Sequence, residues 1–311
     1  MSGSLTASRA CPALQSIRKK TNPGDVALDV GTTYAVVAAN KSPADHYLLV
    51  VPGADPERRW VETSCGSLSG AAAAAPRDTG AEERKSAGQG GGIDAILAIS
   101  WQPSFCETKP DKTECRTQTA DRFDATHFTL HGLWPQPRSN AYCGVPEKDV
   151  TADRTGKWKK LPAVRLSAAT RAELDKVMPG TRSNLERHEW TKHGTCYGLS
   201  MEDYFSSALN LMRDVNASPV QALFARKLGG EVTSGEVAAA FDAAFGKGAG
   251  ARIRMSCAED PSTGRRMVGE ITIALAGSAA GKRGLGDLML AAAPTADRGC
   301  PRGVVDGAGA R

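Results

Sequence analysis

The stretch His188-Glu189-Trp190-Thr191-Lys192-His193-Gly194-Thr195-Cys196 holds two of the chain's five histidines, a carboxylate and an amine. On a helix, positions i, i+1, i+4 and i+5 share a face, so His188, Glu189, Lys192 and His193 project together. Trp190 and Thr191 then point elsewhere, and Gly194 weakens the helix just beyond. Four ionisable groups on one face are costly in a purely structural element. They make sense where that face lines a wet cleft and handles a charged substrate. A second segment, Phe128-Thr129-Leu130-His131-Gly132-Leu133-Trp134-Pro135, adds a third histidine and an aromatic.

Two histidines near neutral pKa can serve as complementary base and acid, and a lysine beside them can stabilise negative charge that grows in a transition state. Trp134 offers a flat face for a nucleobase, a contact worth about 1–3 kcal/mol. The set matches cleavage of RNA by its own 2′-hydroxyl: one histidine takes the 2′-OH proton, the freed oxygen attacks phosphorus, and the other histidine protonates the departing 5′-oxygen. DNA lacks the 2′-OH and should be inert. Two rival readings stand beside this one. His188-Glu189-Trp190-Thr191-Lys192 resembles the zinc motif H-E-x-x-H up to its fifth position, and a metal-dependent phosphoesterase could use Glu189, His193 and His131. A lysine ammonium would repel the cation, so no metal and no cofactor are expected. The other rival is a secreted RNA-binding protein without catalysis, against which the complete set His131, Glu189, Lys192 and His193 argues. His46 is isolated, and a structural role is expected for His127.

The elements that must position these groups follow from hydrophobic patterning. Ile93 to Trp101 reads as a buried first strand, and Phe123 to Trp134 as a second, with Phe128 and Leu130 on one face and His127, Thr129 and His131 on the other. Thr170-x-x-Glu173 resembles a capping box ahead of Leu174, Val177 and Met178. Ser200 caps a helix whose apolar stripe runs through Tyr204, Phe205, Ala208, Leu211, Met212 and Val215. Ser218-Pro219 and Thr233-x-x-Glu236 open two more. Strands are expected at Arg252 to Cys257, Met267 to Ala276 and Leu285 to Ala292. Strands, helices and strands in that order predict an α+β fold, a central antiparallel sheet packed against several helices.

Residues 1–92 are poorly defined by pattern: short strands are expected at Val26–Val30, Tyr34–Ala39 and Tyr47–Val51, then a flexible Ala/Gly/Ser-rich linker over Gly66–Gly92. The domain that carries the chemistry is therefore expected over 93–311. Of 311 residues 41% are hydrophobic, enough for a core, and the net charge of +5 tolerates an anionic partner. No apolar run is long enough to cross a bilayer, so no membrane insertion is expected. Eight cysteines without a C-x-x-C pair fit disulfides made in an oxidising compartment, periplasmic or secreted, although the N-terminus shows no clean signal peptide. Cys106 and Cys115 are expected to close a local loop, and Cys11 could pair with Cys65.

The two chemistry-bearing segments resemble the active-site segments of the T2 ribonuclease family, secreted and weakly base-specific endoribonucleases. The resemblance runs from about Ile93 to Asp306, includes Trp101-Gln-Pro-Ser-Phe-Cys106 and Gly299-Cys300-Pro301, and leaves out residues 1–92. It implies His193 as general base, His131 as general acid, Lys192 and Glu189 as stabilisers of the phosphorane, His188 as phosphate ligand, and Trp134 and Tyr142 as base-stacking aromatics. It also implies the pairs Cys143–Cys196 and Cys257–Cys300, a monomer, and single-stranded RNA as substrate. Fungal members carry an aspartate two residues after the tryptophan where this chain has Gln136, so low base specificity is expected. A carboxylate beside a phosphorane helps only when protonated or when it orients a neighbour, which leaves the protonation state of Glu189 as the open point.

Overall fold

Two sheets with separate cores organise the chain, one in each of the units Met1–Lys85 and Ser86–Arg311. The computed structural model describes residues 3–17, 19–40, 44–69, 92–279 and 283–309.

In the first unit, β1 (Gly3–Ala7), β2 (Thr33–Ala39), β3 (His46–Val50), β4 (Arg58–Glu62) and β5 (Gly66–Ser69) form an antiparallel sheet in the order β4-β3-β2-β1-β5. Leu5, Leu28, Tyr34, Val36, Leu49 and Val61 fill its core, and Cys11 is bonded to Cys65. Arg59 is fully buried, and its guanidinium donates to the carbonyls of Pro56, Pro23 and Asp55 at 2.8–2.9 Å, which replaces the water it gives up. The expectation of an ill-defined N-terminal region therefore does not describe residues 3–69. Val26–Val30 is no strand, since only Ala27 forms an isolated bridge, to Pro12. The linker expected from Gly66 begins instead with β5, which pairs with β1, and its residues 70–91 lie outside the described residues.

The second unit is α+β. Its strands are β6 (Ala95–Ser100), β7 (Thr129–Pro135), β8 (Glu231–Thr233), β9 (Ile253–Glu259), β10 (Arg266–Leu275) and β11 (Arg302–Val304). They run in the order β7-β6-β10-β11-β8, with β9 also on β10, and are antiparallel except for β11 against β10. Nine α-helices occur among the described residues: α1 (Gln102–Thr108), α2 (Thr113–Arg116), α3 (Glu147–Arg154), α4 (Ala168–Val177), α5 (Leu185–Lys192), α6 (Met201–Asn216), α7 (Pro219–Arg226), α8 (Ser234–Phe245) and α9 (Leu285–Ala291). The stripe of α6 packs against the sheet, where Leu97, Ile99, Leu130, Ile271 and Ile273 are buried. Ser200, Ser218 and Thr233 cap α6, α7 and α8 as expected, the last as a full capping box.

Three local expectations are corrected. The strand expected at Leu285–Ala292 is instead the helix Leu285–Ala291, because Leu285, Leu288 and Met289 enter the core at helical spacing. The cap of α4 is Ser167, whose hydroxyl accepts the Thr170 N–H at 3.2 Å, rather than Thr170 itself. Phe123–Ala125 is a 3-10 turn, and β7 begins only at Thr129. His127 consequently stacks on Phe123 at 4.3 Å off the strand, and its Nδ1 lies 3.0 Å from the Thr126 hydroxyl, the structural role expected of it.

Disulfides Cys106–Cys115, Cys143–Cys196 and Cys257–Cys300 are all formed. The second closes a loop over a sequence separation of 53, worth about 4 kcal/mol in the chain-entropy picture. It also fixes the segment after β7 to the turn that follows α5.

Candidate active site

The helix α5 and the strand β7 meet at Glu189. Its Oε2 accepts the Trp134 indole N–H at 2.9 Å. Its Oε1 lies 3.9 Å from His131 Nε2 and 3.7 Å from His188 Nε2. Glycine is required at 132, because a Cβ there would overlap the Glu189 carboxylate and press on the Trp134 indole nitrogen. The Trp134 ring stands edge-on to His131 at 5.2 Å and tilted to His193 at 5.7 Å, so it spaces the two histidines. Lys192, His193, His188, Glu189, Trp134 and His131 all line one cleft of about 830 Å³. The helix ends where the sequence said it would weaken: His193 is its C-cap and a 3-10 turn, Gly194–Cys196, follows. The close fit of Gly194 to the Trp190 ring seats that turn.

His131 owes its position to a β-bulge. Leu130 pairs with Ile99 and Gly132 with Ala98, leaving His131 as the extra residue of β7. A second bulge, between Val268 and Glu270 on β10, leaves Gly269 without a partner on β9. The His131 Nδ1–H then meets Glu270 Oε2 at 2.6 Å, which sets the tautomer and turns Nε2 toward Glu189 and the cleft. His188 is oriented in the same manner. Its Nδ1–H donates to Asp153 Oδ1 at 2.7 Å, the Tyr142 hydroxyl donates to Asp153 Oδ2 at 2.8 Å, and Trp158 stacks on the His188 ring at 4.6 Å.

The surroundings push the two flanking histidines in opposite directions. Burial, then the charges of Lys192, His188 and His131, lower the pKa of His193 to about 3. Packing also disfavours charge on His131, but the bond to Glu270 and the charges of Glu189 and Glu270 outweigh it, and its pKa is raised. Burial raises Glu189 as well, against the pull of His131, His188, the Trp134 bond and Lys192. A neutral histidine and a protonated one therefore coexist in mildly acidic water, the pattern that separates a base from an acid. Glu189 Oε1 and His193 Nδ1 are buried without a hydrogen-bond partner among the described residues. Such atoms are few in folded proteins, and both of these residues line the cleft.

The Ribonuclease T2 family model matches residues 94–283. The chain belongs to the ribonuclease T2 family. It is 33% identical to ribonuclease I of Escherichia coli over 188 residues, 54% of this chain and 70% of that protein. It is 34% identical to a ribonuclease of Aeromonas hydrophila over 132 residues, 40% of this chain and 47% of that protein. Among solved structures, ribonuclease MC1 from the seeds of bitter gourd is 18% identical with a TM-score of 0.46, covering 68% of this chain and 99% of that one. The chain is thus an endoribonuclease of the T2 type.

Within this T2 ribonuclease, Trp134 and Gln136 line the cleft, but Tyr142 does not stand among the lining residues. Its hydroxyl is committed to Asp153, the guanidinium of Arg154 lies 5.4 Å over its ring, and burial together with Asp153 pushes its pKa up to about 12. Sequence reasoning missed Glu270, Asp153 and Trp158, each of which touches a site histidine. His188, Glu189 and His193 bring one potential ligand atom each within 4.8 Å of one another. The set fits a cation poorly, because it shares the cleft with the Lys192 ammonium and because burial favours the protonated, non-ligating form of Glu189.

Proposed function

We propose that this T2 ribonuclease, with its catalytic domain over residues 93–311, cleaves single-stranded RNA without a metal. The products are 2′,3′-cyclic phosphates and then 3′-phosphates, formed with low base specificity. The observation that carries the reading is that His193 and His131 both pack against Trp134 in one cleft, in surroundings that favour the neutral form of the first and the charged form of the second. His193, neutral, removes the 2′-OH proton. The 2′-oxygen attacks phosphorus, forming the new P–O bond. Lys192 offsets the charge on the phosphorane oxygens, and His131 delivers its proton to the 5′-oxygen as the P–O5′ bond breaks. In the second stage the roles reverse: His131, now neutral, takes a proton from water, and the water oxygen opens the cyclic ester as His193 returns a proton to the 2′-oxygen.

Glu189 takes part through the Trp134 bond that holds the wall between the histidines, and its buried carboxyl, whose pKa is raised, can donate to a phosphorane oxygen when it takes up a proton. His188, held by Asp153, presents Nε2 to a non-bridging phosphate oxygen. Trp134 offers its ring to the base. Gln136 can both donate and accept hydrogen bonds, which fits weak discrimination between bases. Four disulfides fit a working place that is oxidising, outside the cytosol.

The test is incubation with RNA and with DNA in EDTA, followed by identification of the termini. Cyclic phosphate from RNA alone is expected. Activity lost in EDTA and restored by a divalent cation would instead favour His188, Glu189 and His193 as metal ligands.

A further inference from the structure

Two further hollows follow one another from the catalytic cleft. A second cavity, of about 480 Å³, shares His131 with it and runs past Phe105 and Leu185 to Lys109, Lys112 and Trp158. A third, of about 340 Å³, shares Trp158 with the second and is lined by Lys157, Lys159 and Lys160. The path from His131 therefore passes five lysines. None of them forms an ion pair with a carboxylate among the described residues, and Lys112 rests 5.5 Å over the Trp158 ring. The buried acid on this path, Glu114, is occupied by the Ser183 hydroxyl at 2.5 Å. Lys157, Lys159 and Lys160 are exposed.

The turn that carries these three lysines is held to the catalytic helix. Arg187, on α5, donates to the carbonyls of Lys159 and Leu161 at 3.1 Å, and Trp158 Nε1–H donates to the Asp153 carbonyl at 3.3 Å. Gly156, at φ +69, makes the turn after α3. The cationic groups thus sit on a backbone fixed relative to His188 and Glu189. Exposed lysines flanking an aromatic in a groove form the chemistry that follows a single-stranded phosphate backbone.

Resting on the ribonuclease reading above, we propose that Lys157, Lys159 and Lys160 form a track for the RNA segment on the 3′ side of the cut. The side follows from the chemistry. The second cavity opens from His131, the group that protonates the departing 5′-oxygen, and that oxygen belongs to the 3′ segment. The enzyme then favours polynucleotides that continue beyond the leaving nucleoside over minimal dinucleotides.

The test uses oligonucleotides with one ribonucleotide in an otherwise deoxy strand, so that each has a single cleavable bond. A minimal substrate is compared with versions extended by a few nucleotides on the 3′ or the 5′ side. For the unmodified protein, 3′ extension should raise kcat/KM. The triple variant Lys157→Ala/Lys159→Ala/Lys160→Ala should lose that gain while cleaving the minimal substrate at the unmodified rate, and the corresponding triple Arg variant should keep it. The slope of log kcat/KM against log salt for the 3′-extended substrate should become shallower by about 0.7 for each phosphate contact removed. A 3′ gain that survives in the Ala variant overturns the track, as does an equal loss on the minimal substrate. Cleavage by the unmodified protein with no 3′ gain overturns the track alone. No cleavage of any of these substrates overturns the ribonuclease reading and the track with it.

Discussion

His131 and Glu270 belong to strands on opposite sides of β6, yet Nδ1 of one lies 2.6 Å from Oε2 of the other. Strands two apart stand roughly 10 Å from each other at the backbone. Thr129, Ser100 and Glu270 form one cross-strand row, and the small Ser100 leaves room above β6 for the two long side chains to meet. The bond raises the pKa of His131, so Glu270→Gln should lower it. The alkaline limb of the kcat/KM profile should then move to lower pH while the acidic limb, set by His193, stays in place. An unchanged alkaline limb would remove Glu270 from the tuning of His131.

His131→Phe and His193→Phe should each nearly abolish cleavage while leaving circular dichroism and melting close to those of the unmodified protein. General acid–base catalysis supplies about 10²–10⁴-fold per group, and losses of at least that size are expected. A fully active variant would exclude its residue from proton transfer.

Asp153→Asn keeps the size of the side chain but weakens its hold on the His188 Nδ1–H and the Tyr142 hydroxyl. A displacement of His188 by about 1 Å is enough for roughly 10²-fold in rate. The loss should appear in kcat/KM with the alkaline limb unmoved, since His131 has its own partner in Glu270. Kinetics equal to those of the unmodified protein would show that the Asp153 bond is dispensable.

The depressed pKa of His193 makes a stability prediction whose sign is fixed. The unfolded chain takes up a proton at this side chain near pH 6.5, the folded protein only near 3. Between those values the unfolded state binds more protons, so this residue lowers stability as the pH falls. In His193→Gln that contribution is gone, and the melting temperature should fall less between pH 6.5 and 4. Parallel melting curves against pH would contradict the shift.

The residues proposed for the chemistry were legible because each lies in a short segment whose local composition is unusual. His188, Glu189, Lys192 and His193 reveal their shared face through helical spacing alone, and His131 and Trp134 stand together in one strand. Glu270 was not legible. It is one acid in a strand of ordinary pattern, and it reaches His131 only through two bulges, which simple alternation does not encode. Asp153 and Trp158 were hidden for a similar reason: they lie on and just after a short polar helix, and their partner His188 is distant in the chain. Leu285–Ala292 was misread because a short apolar run fits a buried strand or a buried helix equally well. In the first unit, β1 and β5 are too short and mixed in composition to announce themselves before they pair.

The contact between Gly132 and Glu189 ties two positions that are distant in sequence into one unit of inheritance. No side chain can be added at 132 while the carboxylate keeps its place beneath the Trp134 indole. A relative with any other residue at the position of Gly132 must also have moved or replaced its glutamate. The glycine alone therefore reports, in a fragment that ends long before α5, whether an acid of this geometry can exist downstream.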